Sequence, residues 1–224
     1  MPIAECRVVE TRDQGVFWDG ERLLTINAVP GSRVYGERLV TCQGVEYREW
    51  MPRRSKLGAY IRLGGMAFPF REDSHVLYLG AASGTTASHV ADIVSKGTVY
   101  CVEISQRSFR DLVKVCETRR NMVPVLGDAT RPEDLKFLVT GADIVYQDIA
   151  QKNQASIFMK AMRSFEAKNG MLSLKARSED VTREPSEIFE EVRVQLETGG
   201  FEVLDLIDLQ PFEKDHAMIS VVRH

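Results

Sequence analysis

From Ser55 to the C-terminus, short apolar runs alternate with longer amphipathic ones, and this alternation restricts the fold more than any other feature. Strands are expected at 75–80, 98–103, 121–126, 143–147 and 170–175. Helices are expected near 55–63 and at 85–95, 106–119, 132–138, 152–167 and 186–198. Short apolar strands separated by helices imply a mostly parallel, doubly wound α/β sheet with both faces covered. Two final strands, 201–208 and 215–222, are joined only by the segment around Gln210, Pro211 and Phe212. A parallel crossover needs a dozen or more residues, so the last strand is expected to run antiparallel. Before Pro52 the period is two, with Val16–Trp18, Leu23–Ile26 and Leu39–Thr41 set apart by turn residues. That pattern predicts a small antiparallel β domain of about five strands over 1–50, ahead of an α/β domain over 51–224. The small domain has no converging acids, histidines or glycine loop, and reads as a docking or packing module.

The chemistry begins where HVLYLG, His75 to Gly80, runs into Ala81, Ala82, Ser83 and Gly84. So little side-chain bulk lets a ligand approach main-chain N–H groups, and Thr85 or Thr86 is placed to cap the following helix. The spacing departs from G-x-G-x-x-G because Ala82 stands where the middle glycine belongs. Glu103 follows about 20 residues later at the end of TVYCVEIS, where an acid can accept hydrogen bonds from two ribose hydroxyls. Asp128, after NMVPVLG, is placed to accept from an exocyclic adenine amine. A single loop acid is ordinarily just solvated. Three polar stations at successive strand ends describe a nucleoside pocket.

A second set lies at the ends of the later strands. Asp148 follows ADIVYQ, Lys175 ends MLSLK, His216 opens the last strand, and Lys56 begins the first helix. An ammonium that finishes a buried strand is expensive unless paired or used, so Lys175 is the hardest of the four to explain as structure. Each of the other three has an ordinary reading when taken alone, as a solvated lysine, a satisfied histidine and a helix cap. Their common position at one sheet edge is the argument.

Composition bounds the partners. With 44% apolar residues, 27% charged residues and a net charge of −3, the chain can bury a full core and lacks a uniformly basic surface. A basic cluster nonetheless gathers at Arg48, Arg53, Arg54, Lys56 and Arg62, while a second, at Arg107, Arg110, Lys114, Arg119 and Arg120, is diluted by Asp111 and Glu117 and reads as a solvated face. Cys6, Cys42, Cys101 and Cys116 are scattered without a C-x-x-C pair, which favours buried thiols over a zinc site or disulfides. No run approaches the roughly 20 apolar residues of a membrane span, and no secretory pattern opens the chain, so a cytoplasmic location without membrane contact is expected.

These motifs carry a resemblance. GSRVYGERL, GVEYREW, P-x-R-S-K-L, LGAASGTT-x-S-H-V, V-E-I-S-x-R, G-D-A, D-I-A-Q, K-A-R-S and D-H resemble the archaeal fibrillarin family, the 2′-O-methyltransferases of box C/D guide-RNA particles. The resemblance spans nearly the whole chain and implies a class I methyltransferase (Rossmann-like) fold with S-adenosylmethionine as cofactor. It places Thr85, Thr86, Glu103, Ile104, Asp128, Ala129, Asp148, Ile149, Ala150 and Gln151 around that cofactor, and the small-residue turn adds Gly80, Ala81 and Gly84 to the cofactor-binding set. It also implies a catalytic set of Lys56, Asp148, Lys175 and His216, no metal, and RNA contacts at Arg53, Arg54 and Lys56. The implied partners are a Nop-domain scaffold protein, a kink-turn-binding ribosomal-type protein, and a box C/D guide RNA with its rRNA or tRNA target. Ile104, Ile149 and Met51 depart from the usual residues without touching the reacting groups.

In-line methyl transfer to a ribose hydroxyl needs a base or an electrostatic stabiliser for the forming oxyanion. Both Asp148 and Lys175 fit that role, and the sequence does not choose between them. A non-enzymatic RNA-particle scaffold would leave Lys175 unexplained. A nicotinamide-dependent oxidoreductase would want the missing glycine and has no use for two lysines.

Overall fold

Among the described residues, the N-terminal hairpin signals fold as an antiparallel sheet of five strands. These are β1 (Val9–Glu10), β2 (Val16–Trp18), β3 (Leu23–Ile26), β4 (Leu39–Cys42) and β5 (Val45–Glu49), in spatial order β1-β2-β3-β5-β4. The computed structural model describes residues 6–224, so residues 1–5 of the expected small domain lie outside the described residues. Leu24, Cys42 and Tyr47 form a small cluster on this sheet, whereas Val16 and Leu23 join the core of the larger one.

The alternating part follows in order as α1 (Lys56–Arg62), β6 (His75–Leu79), α2 (Thr85–Ile93), β7 (Thr98–Glu103), α3 (Gln106–Thr118), β8 (Met122–Leu126) and α4 (Pro132–Leu135). Then come β9 (Ile144–Gln147), α5 (Gln154–Ser164), β10 (Asn169–Lys175), α6 (Ala176–Glu179), α7 (Pro185–Thr198), β11 (Glu202–Asp208) and β12 (His216–Val222). The seven strands order as β11-β12-β10-β9-β6-β7-β8, and only β12 runs against the others. Both faces are covered, one core built on Val76, Tyr78, Tyr146 and Met171 and the other on Leu77, Leu79, Val145 and Leu172. The successive strand residues alternate between the two, as a pleated sheet requires. The short α6 was not expected from the sequence.

Helix α2 is the joint between the two sheets, and every residue from Thr86 to Ile93 is buried. Here the structure corrects the expected basic surface. Arg48 on β5 is wholly buried, pairing through Nε with Glu37 at 2.7 Å and through Nη1 with Asp92 of α2 at 2.5 Å, and it also donates to Ser88 Oγ at 3.0 Å. Arg119 likewise leaves the solvated face expected for it and lies buried, its Nε 3.5 Å from Asp92. Two acids hidden from water need cations at hand, and these two arginines supply them. The guanidinium of Arg48 also lies near His89, whose ring accepts or donates between Thr25 Oγ1 at 2.8 Å and Tyr35 Oη at 2.7 Å and stacks on Trp50. Burial, reinforced by the two arginines, pushes the His89 pKa well below the ordinary imidazole value. Of the four thiols, Cys42, Cys101 and Cys116 are buried, while Cys6 is exposed, contrary to expectation.

Candidate active site

The sheet reverses its direction of growth between β6 and β9, and a crevice opens there at the carboxyl ends of the strands. Gly80 lets the two strand ends meet, since its φ is +83° and a Cβ would stand 2.2 Å from the Asp148 carbonyl oxygen. Only glycine fits such a position. The turn continues through Ala82 in the left-handed region, at φ +48°, so the missing glycine of the dinucleotide pattern is replaced here by a strained alanine. Gly84, at φ +89°, is the N-cap of α2. Its geometry overturns the expected threonine cap. The cap has no side-chain bond, and Thr86 instead donates from Oγ1 to Ser55 Oγ at 3.0 Å, tying α2 to the start of α1.

Glu103 is almost fully buried and uses each oxygen once, Oε2 accepting from the Ala82 N–H at 2.8 Å and Oε1 from the Ser105 N–H at 2.7 Å. A carboxylate has about four lone-pair sites, so two remain, the number a ribose diol requires. Asp128 turns Oδ1 inward to the Thr130 N–H and hydroxyl, both at 2.8 Å, which leaves Oδ2 for the cleft.

These groups line one cleft of about 260 Å³ together with Gly80, Ala82, Val102, Ile104, Gly127, Ala129, Asp148, Ile149, Ala150 and Gln151. Of the residues assigned to the cofactor from sequence, Ala81, Gly84, Thr85 and Thr86 lie off this lining. Ala81 and Thr86 are buried in packing. Ala82, Val102 and Gly127 line the cleft without having been assigned to the cofactor; Ala82 lies in the turn after β6, and the place of the other two at the ends of β7 and β8 was the available signal.

At the edge of the cleft Lys56 Nζ meets Asp148 Oδ2 at 2.9 Å, both side chains about a quarter exposed. Ser55 positions the lysine by capping α1, its Oγ accepting from the Gly58 N–H. Beneath Asp148 lie Tyr78 and Tyr146, fully buried, with pKa values pushed up first by burial and then by neighbouring charge that includes Asp148. His216 and Lys175 stand opposite each other on β12 and β10. The Nδ1 of His216 lies 2.7 Å from the Lys214 carbonyl, an acceptor only, so Nδ1 carries the proton and Nε2 keeps its lone pair. Burial lowers the His216 pKa, and the Lys56 charge lowers it further. The imidazole is therefore neutral at pH 7. Among the described residues, the Lys175 ammonium has no ion pair or side-chain hydrogen bond. Arg53 and Arg54 are exposed on the turn just before Lys56, Arg53 over the Phe212 ring and Arg54 over the Tyr35 ring.

A doubly wound sheet with a buried acid that keeps free lone pairs at the switch point, and a lysine–carboxylate pair beside it, defines a Rossmann-like α/β protein with a polar cleft at its strand ends. The family model described as Fibrillarin matches residues 8–224, and the chain belongs to the fibrillarin family. It is 51% identical over 219 residues, 94% of each chain, to the fibrillarin-like rRNA/tRNA 2′-O-methyltransferase of Methanopyrus kandleri. The fibrillarin of Aeropyrum pernix, solved with natively bound S-adenosyl-L-methionine, superposes with a TM-score of 0.87 at 45% identity, covering 96% of this chain and 98% of that one. A fibrillarin solved in complex with Nop5p superposes with a TM-score of 0.88 at 39% identity, over 96% of this chain and all of that one.

Proposed function

We infer that this chain transfers a methyl group from S-adenosylmethionine to a ribose 2′-hydroxyl of rRNA or tRNA, as the catalytic subunit of a box C/D guide-RNA particle. The observation that carries this reading is the Lys56–Asp148 pair beside a cleft whose floor offers the two spare lone pairs of Glu103 and the spare oxygen of Asp128. That donor and acceptor set fits a nucleoside, and the family relationship makes it the adenosine of S-adenosylmethionine. When bound, that group supplies an electrophilic methyl carbon and leaves as a neutral thioether.

The protein's own task is to hold the ribose hydroxyl in line and to manage its proton. Asp148 is fixed by the Lys56 ammonium at 2.9 Å, and the same cation would offset negative charge developing on an attacking oxygen bound beside that pair. Lys175 is free to turn toward the substrate. His216, neutral, presents Nε2 as an acceptor that orients a hydroxyl or the lysine. Positioning supplies most of the rate in such a displacement.

The net charge of −3 argues that this chain does not grip an RNA duplex by phosphate neutralisation alone. A Nop-domain scaffold protein fills that need, as the fibrillarin/Nop5p complex suggests, together with a kink-turn-binding protein and a guide RNA that selects the nucleotide by base pairing. Arg53 and Arg54 then meet the target strand. The test compares methyl transfer to one target RNA by the isolated chain and by the reconstituted guide particle. Site-specific transfer is expected from the particle alone. Efficient transfer by the isolated chain overturns partner dependence, and none from the particle overturns the activity.

A further inference from the structure

We propose that Gln154 is a positioning residue for Lys175, acting as the strand partner that β9 is too short to provide. The inference rests on the catalytic role given to Lys175 above. Strand β9 ends at Gln147, whose register partner on β10 is Leu172. The last residues of β10 therefore run on with β12 on one side and no strand on the other. A backbone N–H and C=O left in that gap would be buried without partners. The side-chain amide of Gln154, itself fully buried, closes it. Its Oε1 accepts from the Lys175 N–H at 3.0 Å, and its Nε2 donates to the Lys175 carbonyl at 3.0 Å, so one planar group satisfies both main-chain atoms of the lysine.

The orientation of this amide is locked. Nε2 also donates to Glu179 Oε1 at 2.9 Å, which only an N–H can do, so the reversed amide is excluded. The Glu179 carboxylate is in turn held by the Gln154 N–H at 2.7 Å and the Asn153 N–H at 2.9 Å at the start of α5. Gln147 Nε2 ties the Gln154 carbonyl back to the end of β9 at 2.8 Å. The chain of contacts thus runs from the strand that delivers Asp148, through Gln154, to the strand that delivers Lys175. It fixes the distance between two proposed catalytic groups whose side chains make no direct bond to each other. Gln154 is absent from the lining of the cofactor cleft, so cofactor affinity and catalytic rate should separate.

The test is single-turnover methyl transfer by the reconstituted guide particle carrying Gln154→Met, which keeps the volume and loses both bonds to Lys175 along with the one to Glu179. Gln154→Asn, a methylene shorter, serves as the second variant. S-adenosylmethionine affinity is measured by calorimetry on the same chains. The expected result is a rate about 10- to 100-fold lower with affinity within about twofold, the signature of a displaced reacting group. In a Lys175→Ala background the same substitution should slow the residual rate by less than about twofold, because the lysine it places is gone. A merely structural glutamine would not separate the backgrounds in this way. A rate near that of wild type in either variant, or the full slowing retained in the Lys175→Ala background, overturns the assignment. A wild-type particle that transfers no methyl group removes the activity itself, and the inference falls with it. A working wild type beside equally fast variants sinks the Gln154 role alone.

Discussion

Replacing Glu103 should weaken cofactor binding through hydroxyl recognition, with a smaller and separable loss of loop order. The two N–H groups it accepts, from Ala82 and Ser105, belong to exposed residues, so water replaces the lost acceptor in Glu103→Ala at about 1 kcal/mol each. Apo stability should fall by about 2 kcal/mol, or about 5 °C in melting temperature for a chain of this size. Binding loses the two remaining charge-assisted bonds, worth roughly 2–4 kcal/mol together, so the dissociation constant for S-adenosylmethionine should rise about 30- to 1000-fold. Calorimetry with the cofactor and with its 2′,3′-dideoxy analogue distinguishes the two contributions. Wild type should lose most of its affinity when the hydroxyls are removed, and Glu103→Ala should then lose almost nothing more. An equal penalty for the dideoxy analogue in both proteins would show that Glu103 acts only by fastening the loop, and the ribose assignment would have to be given up.

Asp148→Asn and Lys175→Ala should each slow methyl transfer by about 10²- to 10⁴-fold, and their combination should fall far short of the product; a single-turnover rate within a few-fold of wild type for either removes that residue from the mechanism. Arg48→Met leaves Glu37 and Asp92 buried with less compensation and should cost about 3–5 kcal/mol in urea unfolding, an unchanged midpoint refuting the buried pairing. His89 and His216 both have folded pKa values below the ordinary 6.5, so the unfolded chain binds protons first as the pH falls. Stability should be full above about pH 6.5 and decline below it, with a shallower decline in His89→Gln, whereas pH-independent unfolding between 7 and 5 would contradict both shifts. Ala82→Gly relieves a left-handed alanine and should raise stability by about 1 kcal/mol, measured by thermal melting, while a loss would place the strain elsewhere.

The sheet was legible because apolar runs and their spacing are local facts. All seven strands of the larger sheet fall within a residue or two of where the periodicity puts them, and the short 210–212 link was enough to give the direction of β12. The cleft was legible for a related reason, since a switch-point site takes its groups from strand ends, and strand ends can be read from the chain. What escaped depends on partners distant in sequence. Arg48 looks like part of an exposed basic segment until Asp92, 44 residues away, is folded against it. Arg119 is hidden by the same acid. Thr86 resembles a cap by position, but a left-handed glycine takes the cap and frees the hydroxyl for Ser55. Gln154 gave no signal at all, because a buried amide that completes a sheet is recognisable only once the neighbouring strand is seen to stop.

The joint at α2 also bears on how such a molecule can be inherited. Helices after a glycine turn are widely shared among Rossmann-like sheets, and an extra β layer grafted onto one would ordinarily need only an apolar face to sit on. Here the layer arrives with a buried cation, Arg48, and the host helix must already present Asp92, Ser88 and His89 to receive it. Neither half is a portable module. A chimera that exchanges residues up to Glu49 for another β layer would leave Asp92 with Arg119 as its remaining cation and strip His89 of Thr25 and Tyr35, so a change on one side of this joint calls for a matching change on the other, at positions away from the cleft lining.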